Sequence, residues 1–150
     1  MMPLRPMHEQ ERSGPVPTTR IPNSTAAARE VAAQVVAEAE ARGYSPEAVF
    51  AIKLALEEAL TNAIRHGNRR DPAKMVRFEY SVSPTCTEIC IADQGGGFDP
   101  AAVPDPTADE NLECPTGRGI MLMRAYMDHV EFNERGNAVR MVKFNRPTAP

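Results

Sequence analysis

One stretch, Leu56 to Asn68, limits what this chain can fold into more than any other. At about 100° per residue, Val49, Ile52, Leu56, Leu60 and Ala63 fall on one arc, which predicts a helix with a core-facing stripe. Glu58, Asn62 and Arg65 fall on the opposite side. Glu58 and Asn62 are four residues apart, so their side chains stack within reach of one ligand. Such a polar side is either a solvated face or one wall of a site. The stretch alone leaves both open.

The chain has 150 residues, enough for one domain with a real core. Its net charge of −3, with no dense Lys/Arg run, argues against direct nucleic-acid binding or an anionic membrane as partner. No apolar run can span a bilayer, and no continuous apolar h-region follows the first Arg. Cytoplasm is the expected compartment. Cys86, Cys90 and Cys114 match no known framework. Cys86 and Cys90 would share one face of a strand, read as small apolar residues in preference to a metal or redox pair. His8, His66 and His129 form no helical pair, and zinc is not expected.

Residues 1–17 are rich in Pro, Arg and Glu without period, and are expected to be a disordered leader. An ordered domain is expected over 18–145, with a frayed tail at 146–150. Thr18 to Pro22 reads as a short edge strand. Asn23-Ser24-Thr25 then caps a helix that runs to about Arg42 and stops at Gly43. Ser45 and Pro46 open a second helix, expected to continue to about His66, with Gly67-Asn68 ending it. Lys74–Ser83 and Cys86–Ala92 form a plausible antiparallel pair, the first with Val76, Phe78 and Tyr80 alternating. Asp99 to Pro115 is a long loop, followed by a short helix over Ile120–Met127. Strands His129–Asn133 and Ala138–Phe144 close the chain. Strands in hairpin-compatible pairs predict an α+β fold, with helices on one face of a mixed, mainly antiparallel sheet.

Two glycine motifs stand downstream of the helix. Asp93-x-Gly95-x-Gly97 follows a strand, where glycines let backbone approach a ligand and an Asp accepts from an exocyclic amine. Gly117-x-Gly119 precedes a helix, whose N–H groups and dipole favour phosphate. Each motif alone also suits an ordinary turn. A P-loop pattern is absent, so a nucleotide would be held differently.

In this order, the Glu/Asn helix, Asp-x-Gly-x-Gly and Gly-x-Gly resemble the Bergerat fold of histidine-kinase-like ATPases, a two-layer α/β sandwich. Glu58-Ala59-Leu60-Thr61-Asn62-Ala63-Ile64-x-His66-Gly67, Asp93-Gln94-Gly95-Gly96-Gly97-Phe98 and Gly117-Arg118-Gly119-Ile120 resemble the anti-sigma-factor serine/threonine kinase branch. The resemblance covers roughly Thr18 to Phe144. It implies ATP and Mg²⁺ as cofactors, with Asn62 as metal ligand and Glu58 as catalytic base. It assigns Asp93, Gly95 and Gly97 to the adenine end. The phosphates fall to Thr116, Gly117, Arg118 and Gly119, with 99–115 as a lid. Where the branch often has a basic residue, Pro115 and Thr116 stand before the Gly-x-Gly. His66 is read as a capping or packing residue. The implied partners are a STAS-type antagonist, phosphorylated on Ser or Thr, and a sigma factor or similar target, with a possible homodimer. The alternative is a nucleotide-dependent partner-switch module without phosphoryl transfer.

Overall fold

Turn chemistry sets the helix boundaries. The computed structural model describes residues 18–95 and 117–146; the leader, the expected lid, Gly97, Cys114 and Thr116 lie outside these. Strand β1 (Thr18–Pro22) leads into helix α1 (Thr25–Ala41), where the Ser24 hydroxyl accepts from the Ala27 N–H. Gly43, at φ 79°, takes the left-handed conformation that closes a helix C-terminus. Helix α2 (Pro46–Thr61) starts on the Ser45 cap, whose hydroxyl accepts from the Ala48 N–H, with Pro46 in the first turn.

Strands β2 (Met75–Val82) and β3 (Cys86–Ala92) form the expected hairpin. Helix α3 spans Gly117–Tyr126, then come β4 (His129–Phe132) and β5 (Ala138–Phe144). The sheet order is β1-β2-β3-β5-β4. The α+β reading holds, and every pairing between the described strands is antiparallel, so the sheet is not mixed. Helix α3 begins three residues before the expected Ile120, with Gly117 and Gly119 inside its first turn.

The helices cover one face. Val35 and Ala39 of α1 and Ile52 and Leu56 of α2 are buried against Val76, Phe78, Ile89 and Met141 of the sheet. Tyr80, which continues the expected alternation, is only partly buried. On the other face, Glu88 and Arg140 form a buried ion pair, and Arg140 also reaches Glu131 at 3.5 Å. Glu88 stands between Cys86 and Cys90 on β3, so that side is less apolar than the cysteine spacing suggests. Burial, and then the nearby Glu88 and Glu79 charges, push the Cys90 thiol up to about 12. Held neutral, it is a poor nucleophile.

Candidate functional site

The helix that carries Glu58 and Asn62 does extend to Gly67, but its last stretch is not α-helical. From Asn62 to Gly67 the coil widens into a π-helical turn. The Asn68 N–H bonds the Ala63 carbonyl, five residues back, at 2.8 Å, and the Arg70 N–H bonds the Ile64 carbonyl at 2.8 Å. Arg69 and Arg70 follow at φ 52° and 57°. Left-handed backbone costs a non-glycine residue roughly 1–2 kcal/mol, so tertiary contacts must hold this turn. Irregularity of this kind inside a helix collects at functional sites.

The widened turn meets the end of β3. A Cβ on Gly67 would collide with the Asp93 carboxylate, and one on Gly95 would collide with the Gly67 carbonyl. Only glycine at both positions lets the two backbones approach this closely. The Gly95 N–H donates to Asp93 Oδ1 at 2.7 Å. From the β4–β5 hairpin, the Asn137 carbonyl accepts from the Asp93 N–H at 2.9 Å. Asn133 Oδ1 in turn accepts from the Asn137 N–H at 3.0 Å. Burial raises the Asp93 carboxyl to about 6, opposed by the Gly95 hydrogen bond and by Lys74.

Between these elements lies a cleft. Asn62, His66 and Gly67 form one wall, Ile91 and Asp93 another, and Met123, Phe132 and Asn137 complete it. Asn62 Nδ2 is buried there without a hydrogen-bond partner. A carboxamide can turn over to exchange its oxygen and nitrogen, so this side chain can present either to a ligand.

The structure thus brings Asn62 and Asp93 to one cleft, with Gly95 packed at its edge. Glu58 lies one turn before Asn62, half-exposed, and does not line the cleft. Arg65, placed on the same polar side by a regular helical period, faces instead a groove between α1 and α2. Gly119 is buried in the first turn of α3, outside the cleft wall. His66 does more than end the helix, since it lines the cleft. Asn68, Phe132, Asn133 and Asn137 were not legible as site residues, and Gly67 entered only as the last residue of the family motif. The asparagines carry only the signal of Asn at segment ends, which ordinary turns share, and Phe132 carries none.

A family model described as "Histidine kinase-like ATPase domain" matches residues 21–143. The chain belongs to this family. The serine-protein kinase RsbW of Bacillus licheniformis is 35% identical over 112 residues, 68% of each chain. The anti-sigma F factor of Clostridium beijerinckii is 36% identical over 101 residues, 63% of this chain and 70% of that one. Among solved structures, the RsbU and RsbW domains of Rv1364c from Mycobacterium tuberculosis match with a TM-score of 0.57. That match is 16% identical, covers 89% of this chain and 33% of the other, and speaks to the fold alone.

The α1–α2 groove is the larger cavity, at about 700 Å³, lined mainly by alanines and exposed charged side chains. The cleft at Asp93 holds only about 30 Å³, but it is the better site because it gathers convergent polar groups around a carboxyl perturbed by burial. Gly67→Ala should force the helix end away from Asp93 and cost about 2 kcal/mol or more, read by urea denaturation. Wild-type stability in this variant would mean that the close approach is not required.

Proposed function

We propose that this protein is an ATP-dependent serine/threonine kinase and anti-sigma factor that acts in the cytoplasm. It would phosphorylate a STAS-type antagonist and sequester a sigma factor, working with Mg²⁺ and as a homodimer. The observation that carries this reading is one cleft with a half-buried Asp93 on one wall and the Asn62 carboxamide on another. The names of the relatives, a serine-protein kinase and an anti-sigma F factor, supply the activity. Among the described residues no helix is long and apolar enough to cross a membrane.

The residues present suit this chemistry. Asp93 Oδ1 is occupied by the Gly95 N–H, which leaves Oδ2 to accept from the adenine amino group. Asn62 offers one hard oxygen for Mg²⁺. No cluster of His, Cys, Asp or Glu among the described residues could hold a metal alone. Mg²⁺ keeps several waters and takes few protein oxygens beside substrate phosphates, so one carboxamide oxygen would suffice as its protein ligand. When bound, Mg²⁺ neutralises charge on the phosphates. Glu58, half-exposed, is open to a serine hydroxyl of a docked protein. It takes the hydroxyl proton as the serine oxygen bonds the terminal phosphorus and ADP departs. Thr116, Gly117, Arg118 and Gly119 would meet the phosphates at the start of α3, and Gly97 would border the adenine. Switching between antagonist and sigma factor requires that the ATP- and ADP-bound forms differ in affinity for the two.

Glu58→Gln should abolish phosphorylation of the antagonist, measured with radiolabelled ATP, while ATP affinity stays within about twofold. Undiminished transfer would remove Glu58 as base. Absence of transfer in the wild-type protein, despite ATP binding, would favour a partner-switch module without catalysis.

Asp93→Asn should move stability and binding in opposite directions. The carboxyl rises from 3.8 to about 6 on folding, so between these values the folded form keeps a proton the unfolded chain has lost. Its contribution therefore falls as pH climbs through that window, and ionised Asp93 is a liability at neutral pH. The Asn variant should gain about 1 kcal/mol at pH 7, allowing for solvent screening, and lose that slope. It should also weaken ATP by ~1.5–3 kcal/mol, read by calorimetry. Unchanged ATP affinity would contradict the adenine assignment.

A further inference from the structure

Asn68 is completely buried although it lies in the turn after a helix, directly before the exposed Arg69 and Arg70. Every polar group it has is engaged. Its Oδ1 accepts from the Gln94 N–H at 2.7 Å. Its Nδ2 donates to the Met75 carbonyl at 3.0 Å and to Asn23 Oδ1 at 3.1 Å. Its own N–H reaches the Ala63 carbonyl at 2.8 Å, and its carbonyl accepts from the Asp71 N–H at 3.0 Å. One carboxamide therefore ties the β1–α1 turn, the π-helical turn, the start of β2 and the end of β3 together. Asn23 and Gln94 brace the same node, through Asn23 Nδ2 to the Asp71 carbonyl at 3.1 Å and Gln94 Oε1 to the Met75 N–H at 2.8 Å.

The bond to Gln94 bears on the site. Gln94 lies between Asp93, whose carboxylate enters the cleft, and Gly95, whose N–H fixes one oxygen of that carboxylate. Asn137 holds this tripeptide from the hairpin side, at the Asp93 N–H and, at 3.4 Å, the Gly95 carbonyl. Asn68 holds it from the helix side. Gln94 is itself exposed, so without Asn68 its N–H would turn to water and the peptide could rotate, carrying the Asp93 carboxylate with it. An acceptor for Gln94 and donors for Met75 and Asn23 must come from one short side chain. Among the twenty residues a carboxamide on a single methylene meets all three demands.

We propose that Asn68 is a positioning residue that aims the Asp93 carboxylate and so sets selectivity for the adenine base, without touching the nucleotide. The proposal rests on the reading of Asp93 as the adenine acceptor. Its side chain reaches the β3 end, whereas only its backbone N–H bonds the π-helical turn that carries Asn62, so side-chain substitutions act first on recognition of the base.

The test compares wild type, Asn68→Ala, Asn68→Asp and Asp93→Asn for ATP and GTP affinity, with Mg²⁺ present, by displacement of a fluorescent ATP analogue. Asn68→Ala should lose about tenfold in ATP affinity and at least fivefold in the ATP-over-GTP ratio. Asn68→Asp keeps the acceptor for Gln94 and should retain more of that ratio than Asn68→Ala. A purely structural role would weaken both nucleotides equally and leave the ratio unchanged, which would overturn the proposal. If Asp93→Asn also leaves the ratio unchanged, the adenine reading itself fails; if only the Asn68 variants do, that reading survives and the positioning role does not. Should the Asn68 variants not fold, hydrogen exchange at the Gln94 amide of the wild-type protein decides. Protection at this exposed residue supports the clamp, and exchange at the rate of an unstructured chain overturns it.

Discussion

The contact between the end of α2 and the end of β3 is the constraint on which the site depends. Gly67 and Gly95 meet backbone to backbone, with the Asp93 carboxylate wedged beside them; a Cβ on Gly95 would push the two segments apart, and one on Gly67 would displace the Asp93 carboxylate. Around that contact the chain gives up regular structure. The helix widens into a π-helical turn, and two arginines adopt left-handed backbone. The same turn leaves Asn62 and His66 on the wall opposite Asp93. Local conformational cost is thus exchanged for a cleft that a straight α-helix would not form.

The unfavourable features are concentrated in this place. A half-buried carboxyl with a raised pKa, an unpartnered buried amide nitrogen and strained backbone all lie within or beside the cleft. The core beneath is regular by comparison, with alternating apolar residues from β2, β3 and β5 under the stripes of α1 and α2. A site that is costly for the empty protein and favourable with a ligand is expected wherever binding is selected ahead of stability. The helix-free face of the sheet is different in kind. There Glu88 and Arg140 are buried together, so charge is compensated by charge and no ligand is called for.

Much of this was readable from local chemistry. Ser24, Ser45 and Pro46 open their helices for reasons contained in a few residues, and Gly43 ends one for the same kind of reason. The β2–β3 and β4–β5 pairs follow from alternation and turn residues. Asn62 was marked by its place on the polar side of a helix and Asp93 by the glycine motif at a strand end, and the fold places both in one cleft. What could not be read depends on partners distant in sequence. The π-helical turn ends on Asn68, whose side chain is held by Gln94, Met75 and Asn23, none of them a neighbour along the chain. A regular period carried through that turn put Arg65 beside Asn62, whereas the structure turns it toward α1. Likewise, nothing around Asn137 distinguishes a hairpin asparagine that grips Asp93 from one that only closes a turn.

Nucleotide should enter the small cleft at Asp93 and not the larger groove between α1 and α2. A crystal structure with Mg²⁺ and a non-hydrolysable ATP analogue tests it most directly. The adenine amino group should lie within hydrogen-bond distance of Asp93 Oδ2, and the Asn62 carboxamide oxygen should sit on the metal. Adenine seated among the alanines of the α1–α2 groove, with Asp93 and Asn62 unchanged, would contradict it.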